Sequence, residues 1–225
     1  ILEVCEKQEV EFHDLRNISF KAVNVDNHLI FPSLQLNSPF VDPRTFTVNC
    51  AKIKSTYGVP TAFSVKNSKG LLPDDLKLAF HLKGVQKALV DLGSCLNWDL
   101  VILEGLPMSE LGKPAENGLL VISTNAIVAD TFVMSAMGYN DECAEHLVLL
   151  ARRLGLTKES FYNLEHYDSV KSMCRPLVYA KNTIQSLAAK YGVAIYDGKP
   201  CSGCVESLTK ALDRVERGKD GPSNY

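Results

Sequence analysis

Asp99-Leu100-Val101-Ile102-Leu103 is a short, unbroken apolar run that ends at Glu104-Gly105, and its reading decides the fold class. A run of this length suits an interior strand covered on both faces. Gly118-Leu119-Leu120-Val121-Ile122 has the same character. Before the first run, Leu78, Leu82, Val85 and Leu89 set an apolar stripe that predicts one helix over Leu76–Leu92, with Pro73-Asp74-Asp75 as its start signal. After the second, Thr124 or Asn125 can cap a helix over Ala126–Met137 that Gly138 stops.

Outward from this centre the period of the apolar residues keeps switching between two and about 3.6. Strands are predicted at Phe20–Val25, Phe46–Ile53, Thr61–Val65 and Val193–Tyr196. Helices are predicted at Asp141–Leu154, Pro176–Lys190 and Cys201–Arg217, with a long loop near Pro32–Pro43 and a polar, poorly periodic stretch over Lys158–Lys171. Alternating strands and helices imply an α/β fold: a layered, mixed, partly parallel sheet with helices on both faces. One domain is expected over residues 1–217, followed by a disordered polar tail at 218–225.

The 225 residues are 46% hydrophobic and 22% charged, an ordinary globular composition. The net charge of −2 argues against a general nucleic-acid partner, which would need a clustered excess of Lys and Arg. No apolar run approaches the roughly 20 residues that cross a bilayer, so no membrane partner is expected. The start, Ile1-Leu2-Glu3-Val4-Cys5-Glu6-Lys7, is unlike a signal peptide and lacks an initiator Met, so truncation at the N-terminus is expected. Seven cysteines, odd in number and widely spaced apart from one Cys-x-x-Cys pair, point to a reducing compartment and a cytoplasmic location.

Several residues could carry chemistry. Alternation along a strand puts Lys52 and Lys54 on one side. Lys66, Asn67 and the small Gly70 turn add donors and room for close backbone approach, which suits a phosphate or carboxylate. The same run also fits a solvated edge strand with a Lys-rich turn. His81 falls on the apolar side of its helix, where half-buried, satisfied histidines are common. Glu104 ends an apolar strand, where α/β sheets place ligand-binding groups. Asp130 lies among Ile127, Val128, Phe132 and Val133, so it must be paired or shifted in pKa if buried, and is unremarkable if exposed. Cys201-Ser202-Gly203-Cys204 opens a helix beside Lys199, a setting that lowers a thiol pKa; two cysteines alone supply half the ligands of a zinc or iron–sulfur site.

In order, Val48-Asn49-Cys50-Ala51-Lys52-Ile53-Lys54, Ser64-Val65-Lys66-Asn67-Ser68-Lys69-Gly70, Phe80-His81, the run from Asp99 to Gly105, and Asn125-Ala126-Ile127-Val128-Ala129-Asp130 up to Met137-Gly138 resemble the family called domain of unknown function 362, over about Thr45–Leu156. The family pattern has a Lys-x-Lys strand, a Lys-Asn-x-x-Gly turn, a helical His, a strand ending in Asp-Gly and an Asp-Pro-Val-Ala-x-Asp helix. This chain retains Lys52, Lys54, Lys66, Asn67, Gly70, His81, Asp130 and Gly138. It departs at Ser55 and Thr56, where the family usually has a His, at Glu104 for Asp, and at Asn125-Ala126 for Asp-Pro. The resemblance implies a link to iron–sulfur proteins and to an electron-transfer partner.

Three functions remain open at this stage. One is an enzyme domain that holds a small anionic metabolite on Lys52, Lys54, Lys66, Asn67 and Gly70, with His81, Glu104 and Asp130 as acid–base or divalent-metal groups. The second is a redox or iron–sulfur module working through Cys201 and Cys204. The third is a non-catalytic binding or scaffold domain.

Overall fold

The computed structural model describes residues 1–56, 61–111, 113–115, 118–177, 184–195 and 202–219. A short helix α1 (Leu2–Lys7) precedes an antiparallel hairpin of β1 (Phe20–Asn24) and β2 (Ser33–Asn37). The main sheet begins with β3 (Val48–Ser55). A helical crossover of α2 (Ser64–Asn67), α3 (Asp74–Lys83) and α4 (Val85–Cys95) returns the chain to β4 (Leu100–Glu110), which runs parallel to β3. β5 (Lys113–Ala115) and β6 (Leu119–Ser123) both pair antiparallel with β4. The rest is helical: α5 (Ala126–Ala136), α6 (Glu145–Arg153), α7 (Tyr167–Met173), α8 (Ile184–Tyr191) and α9 (Ser202–Lys219). The α/β class and the mixed, partly parallel sheet are as the sequence predicts.

Local chemistry explains the elements. At the entry of the parallel pair, Asp99 accepts from the Thr47 amide (2.7 Å) and hydroxyl (2.9 Å), tying β3 to β4. Asn125 caps α5, its Oδ1 accepting from the amides of Ile127 (2.9 Å) and Val128 (3.1 Å). The core lies between the sheet and its helices, with Ala51, Ile53, Val101 and Leu103 of the strands packed against Val65, Leu89, Val133 and Leu147. Gly93 lets α4 and α6 approach: a Cβ there would sit 2.7 Å from Leu150 Cδ1.

Several expectations are corrected. The single helix over Leu76–Leu92 is two, α3 and α4, because Gly84 adopts φ +111°, outside the helical range. The intended stripe fails with it, since Leu78 and Leu82 are exposed while Val85 and Leu89 are buried. Thr61–Val65 is not a strand: after one bridge at Ala62 the chain turns into α2, whose first amides are taken by Asp130. The segment Pro32–Pro43 is ordered as β2 and a 3₁₀ turn (Ser38–Val41). Lys158–Lys171 also holds structure, a 3₁₀ turn (Lys158–Phe161) and most of α7. Val193–Ile195 form no strand, and Tyr196 lies outside the described residues. Glu104-Gly105 sits within β4 rather than at its end. Part of the predicted helix over Pro176–Lys190, at 178–183, and the tail beyond Lys219 also lie outside the described residues.

Among the described residues the sheet is fully covered on one face, while on the other Leu100 and Ile102 of the central run are only half-buried. In β3 the residues alternate strictly, with Asn49, Ala51, Ile53 and Ser55 buried and Val48, Cys50, Lys52 and Lys54 exposed. The helices touching the sheet, α2 and α5, meet on the Asn49 side, where the Asn49 side chain reaches Ser64 and α2 reaches Asp130 of α5. The opposite face leaves Val48, Leu120 and Ile122 (62%) in solvent. An unbroken apolar run cannot reveal which of its two faces is covered, and that is why the sequence misleads here. No helix among the described residues is long and apolar enough to cross a membrane.

Candidate functional site

Asn67, Lys66 and Lys69 come from one tight turn, where α2 passes directly into a 3₁₀ turn over Ser68–Leu71. Asp130 fixes the start of that turn. Its Oδ1 accepts from the Ser64 amide (3.0 Å) and hydroxyl (2.5 Å), and its Oδ2 from the Val65 amide (2.9 Å). Burial pushes the Asp130 carboxyl up to about 7, although the three donors pull the other way. Asn49 holds the far side of the turn: it donates to the Ser64 carbonyl (3.0 Å) and accepts from Asn67 Nδ2 (2.9 Å).

Lys66 therefore projects from a braced element. It is half-buried and donates to Thr56 Oγ1 (2.6 Å), one of the positions at which the chain departs from the family pattern. Desolvation first, then the charges of Lys69 and Lys54, lower its pKa to about 8, while Glu206 on α9 pulls it up. Lys69 Nζ lies 2.5 Å from His81 Nε2, a contact that requires that nitrogen to be unprotonated and to accept. Burial, then Lys69 and Lys66, push His81 downward in the same sense. On the inner side is His146, buried, with Nδ1 on Gln86 Oε1 (2.6 Å) and Nε2 without a hydrogen-bond partner among the described residues. Burial and the Lys66 charge lower its pKa to about 3.

The predicted residues thus fall into separate groups. Lys54, Lys66 and His81 share one electropositive corner with Lys69. Lys52 and Glu104 are cross-strand neighbours on the open face and form an ion pair, with Lys52 also donating to the Pro107 carbonyl (3.0 Å). The hydrogen bond from Lys52 to Glu104, then the one from the Leu106 amide, holds the Glu104 carboxyl below its usual range. Asp130 lies underneath, turned to the α2 backbone. Gly70 does not have a positive φ, and a Cβ there would meet nothing within 4 Å, so the turn does not need a glycine for room.

Cys204 is exposed in the first turn of α9, and Cys201 lies outside the described residues. Among the described residues no three His, Cys, Asp or Glu side chains gather to hold a metal ion. The described residues therefore do not fit an iron–sulfur cluster, which takes four thiolate or imidazole ligands. Yet α9 is not remote, because Glu206, two residues beyond Cys204, acts on both Lys66 and His81.

Sequence reasoning passed over Lys69, Asp91, His146 and Glu206. Asp91 is buried in α4 and accepts from the amides of Leu29 (2.6 Å), Ile30 (2.8 Å) and Phe31 (2.8 Å). Its signal was present in Leu89-Val90-Asp91-Leu92, a carboxylate in an apolar helix as at Asp130. Lys69, His146 and Glu206 gain meaning only from the tertiary structure.

No curated protein and no solved structure matches the chain. A family model does match, over residues 1–135, more than half of the chain and including Lys54, Lys66, Lys69, His81 and Asp130. On that match the chain belongs to the family described as Domain of unknown function (DUF362).

Proposed function

We propose that this is an enzyme domain that holds a small anionic metabolite at the corner formed by Lys54, Lys66, Lys69 and His81, with Asn67 as a neighbouring donor. One observation carries this reading: a half-buried lysine on a braced turn, pressed by the charges of two further lysines, one of which contacts His81. Like charges brought together in a partly desolvated place repel, and a bound phosphate or carboxylate relieves that repulsion. His81 supplies an acid–base group at the same place. Lys52 and Glu104, paired with each other, lie outside the binding set.

Calorimetric titration with inorganic phosphate and with a small dicarboxylate tests the reading. Binding should weaken at least tenfold in Lys69→Met and in Lys66→Met. Equal binding by these variants and the parent would remove the corner as the site.

The redox alternative, working through Cys201 and Cys204, draws support from Cys204 being an exposed free thiol on α9, the helix whose Glu206 acts on Lys66. Metal analysis and an absorption spectrum of protein purified without oxygen decide it. Iron lost on replacing both cysteines favours the redox module, whereas an iron-free, colourless protein leaves the anion site.

A further inference from the structure

We infer that Lys66 is an amine nucleophile that forms an imine with the carbonyl group of a small oxo acid, whose carboxylate is held by Lys69 and Lys54. The inference rests on the anion-site reading above and deepens it, by naming the substrate class and the atom that reacts.

The three lysines are not equivalent. Lys54 lies on the exposed face of β3, open to solvent. Lys69 donates to His81 Nε2, which engages its ammonium. Lys66 is shielded from water and placed by a short bond to Thr56, and its turn is anchored by Asp130 and Asn49. Lysine nucleophiles need a neutral amine, obtained by desolvation or by a neighbouring cation. Lys66 has both. The charged groups acting on it come from every side: Lys54 on β3, Lys69 on its own turn and Glu206 on α9, with His81 of α3 and His146 of α6 within reach of its field.

The step balances without a further reactant. The Lys66 ammonium gives a proton to solvent, and its lone pair forms a C–N bond to the carbonyl carbon. One of the two amine protons passes to the former carbonyl oxygen, giving a neutral carbinolamine. The proton released earlier to solvent then returns to the hydroxyl, the nitrogen lone pair forms the second C–N bond as the C–O bond breaks, and water leaves a protonated imine on Nζ. No electron changes hands between molecules. The positive nitrogen then draws electrons from the adjacent carbon, which suits proton removal or C–C cleavage beside the former carbonyl.

The test is incubation with pyruvate or 2-oxoglutarate, trapping with borohydride, and peptide mapping by mass spectrometry. Label on Lys66 should exceed that on any other lysine at least tenfold, be suppressed by phosphate, and be absent from Lys66→Arg. The labelling rate should rise with pH through about 8. In Lys69→Met that inflection should move upward, because one neighbouring cation is gone. No adduct, even labelling of many lysines, or an unmoved inflection in Lys69→Met overturns the imine. Phosphate titration of the same preparation separates the two readings: binding without adduct sinks the imine alone, and absence of both sinks the anion site too.

Discussion

Asp130 of α5 takes both the amide and the hydroxyl of Ser64 on a single carboxylate oxygen, so the turn that carries Lys66 is fastened to a helix 66 residues further along the chain. The other oxygen takes the next amide, Val65. Removing this carboxylate strands buried donors, which typically destabilises by about 3 kcal/mol when more than one is left unpaired. Asp130→Ala should lower the urea midpoint accordingly. A midpoint equal to the parent's would show that the turn holds itself.

Asp91 should behave alike at a place unconnected with ligand. It collects the amides of Leu29, Ile30 and Phe31, and Phe31 stacks on Phe80 at 5.1 Å between ring centroids. Asp91→Ala is expected to destabilise by about 3 kcal/mol on the same grounds. It should also raise amide exchange at Leu29–Phe31 while phosphate affinity changes less than twofold.

Two buried groups, His146 of α6 and Asp130 of α5, should make stability respond to pH in opposite senses. The His146 pKa falls on folding from 6.5 to about 3, so its contribution is complete above pH 6.5 and drains away as pH falls toward 3. The Asp130 pKa rises from 3.8 to about 7, so its contribution is complete below pH 3.8 and drains away as pH rises toward 7. Between about 4 and 6.5 the two slopes oppose. Relative to the parent, His146→Asn should therefore gain stability as pH falls through this window, and Asp130→Asn should lose it. Denaturant midpoints at a series of pH values read both, and parallel curves for parent and variants would refute the assignment.

Lys52 and Glu104 offer a control for the anion site. Each is more than a third exposed, and pairs of this kind contribute little to stability. Lys52→Met combined with Glu104→Gln should leave the thermal midpoint close to the parent's and phosphate affinity within twofold. A tenfold loss of affinity would instead draw Lys52 into the site.

How far the sequence could be read follows from the range of each interaction. The cap at Asn125, the stop at Gly138 and the alternation along β3 act within a few residues, and all appear as predicted. The break at Gly84 was local too, but the apolar stripe running through it concealed the φ that the glycine adopts. Lys54, Lys66 and His81 could be singled out because their types and order are legible. Their joining with Lys69 and Glu206, and the separation of Lys52 and Glu104 as a pair, depend on strand register and on where α9 lies. No spacing rule reaches that far.

The parallel pairing of β3 with β4 also governs the order in which the molecule can assemble. Thr47 and Asp99, which tie the two strands at their start, are 52 residues apart, and everything between them must compact before they can meet. The β1–β2 hairpin closes over a much shorter loop. Long-range parallel contacts form late and slow the search for the native state, whereas hairpins form early. The turn that carries Lys66 waits on a contact of similar range, since Asp130 fastens it from 66 residues further on, so binding competence should arrive with the last cooperative phase of refolding rather than with the first gain of helix.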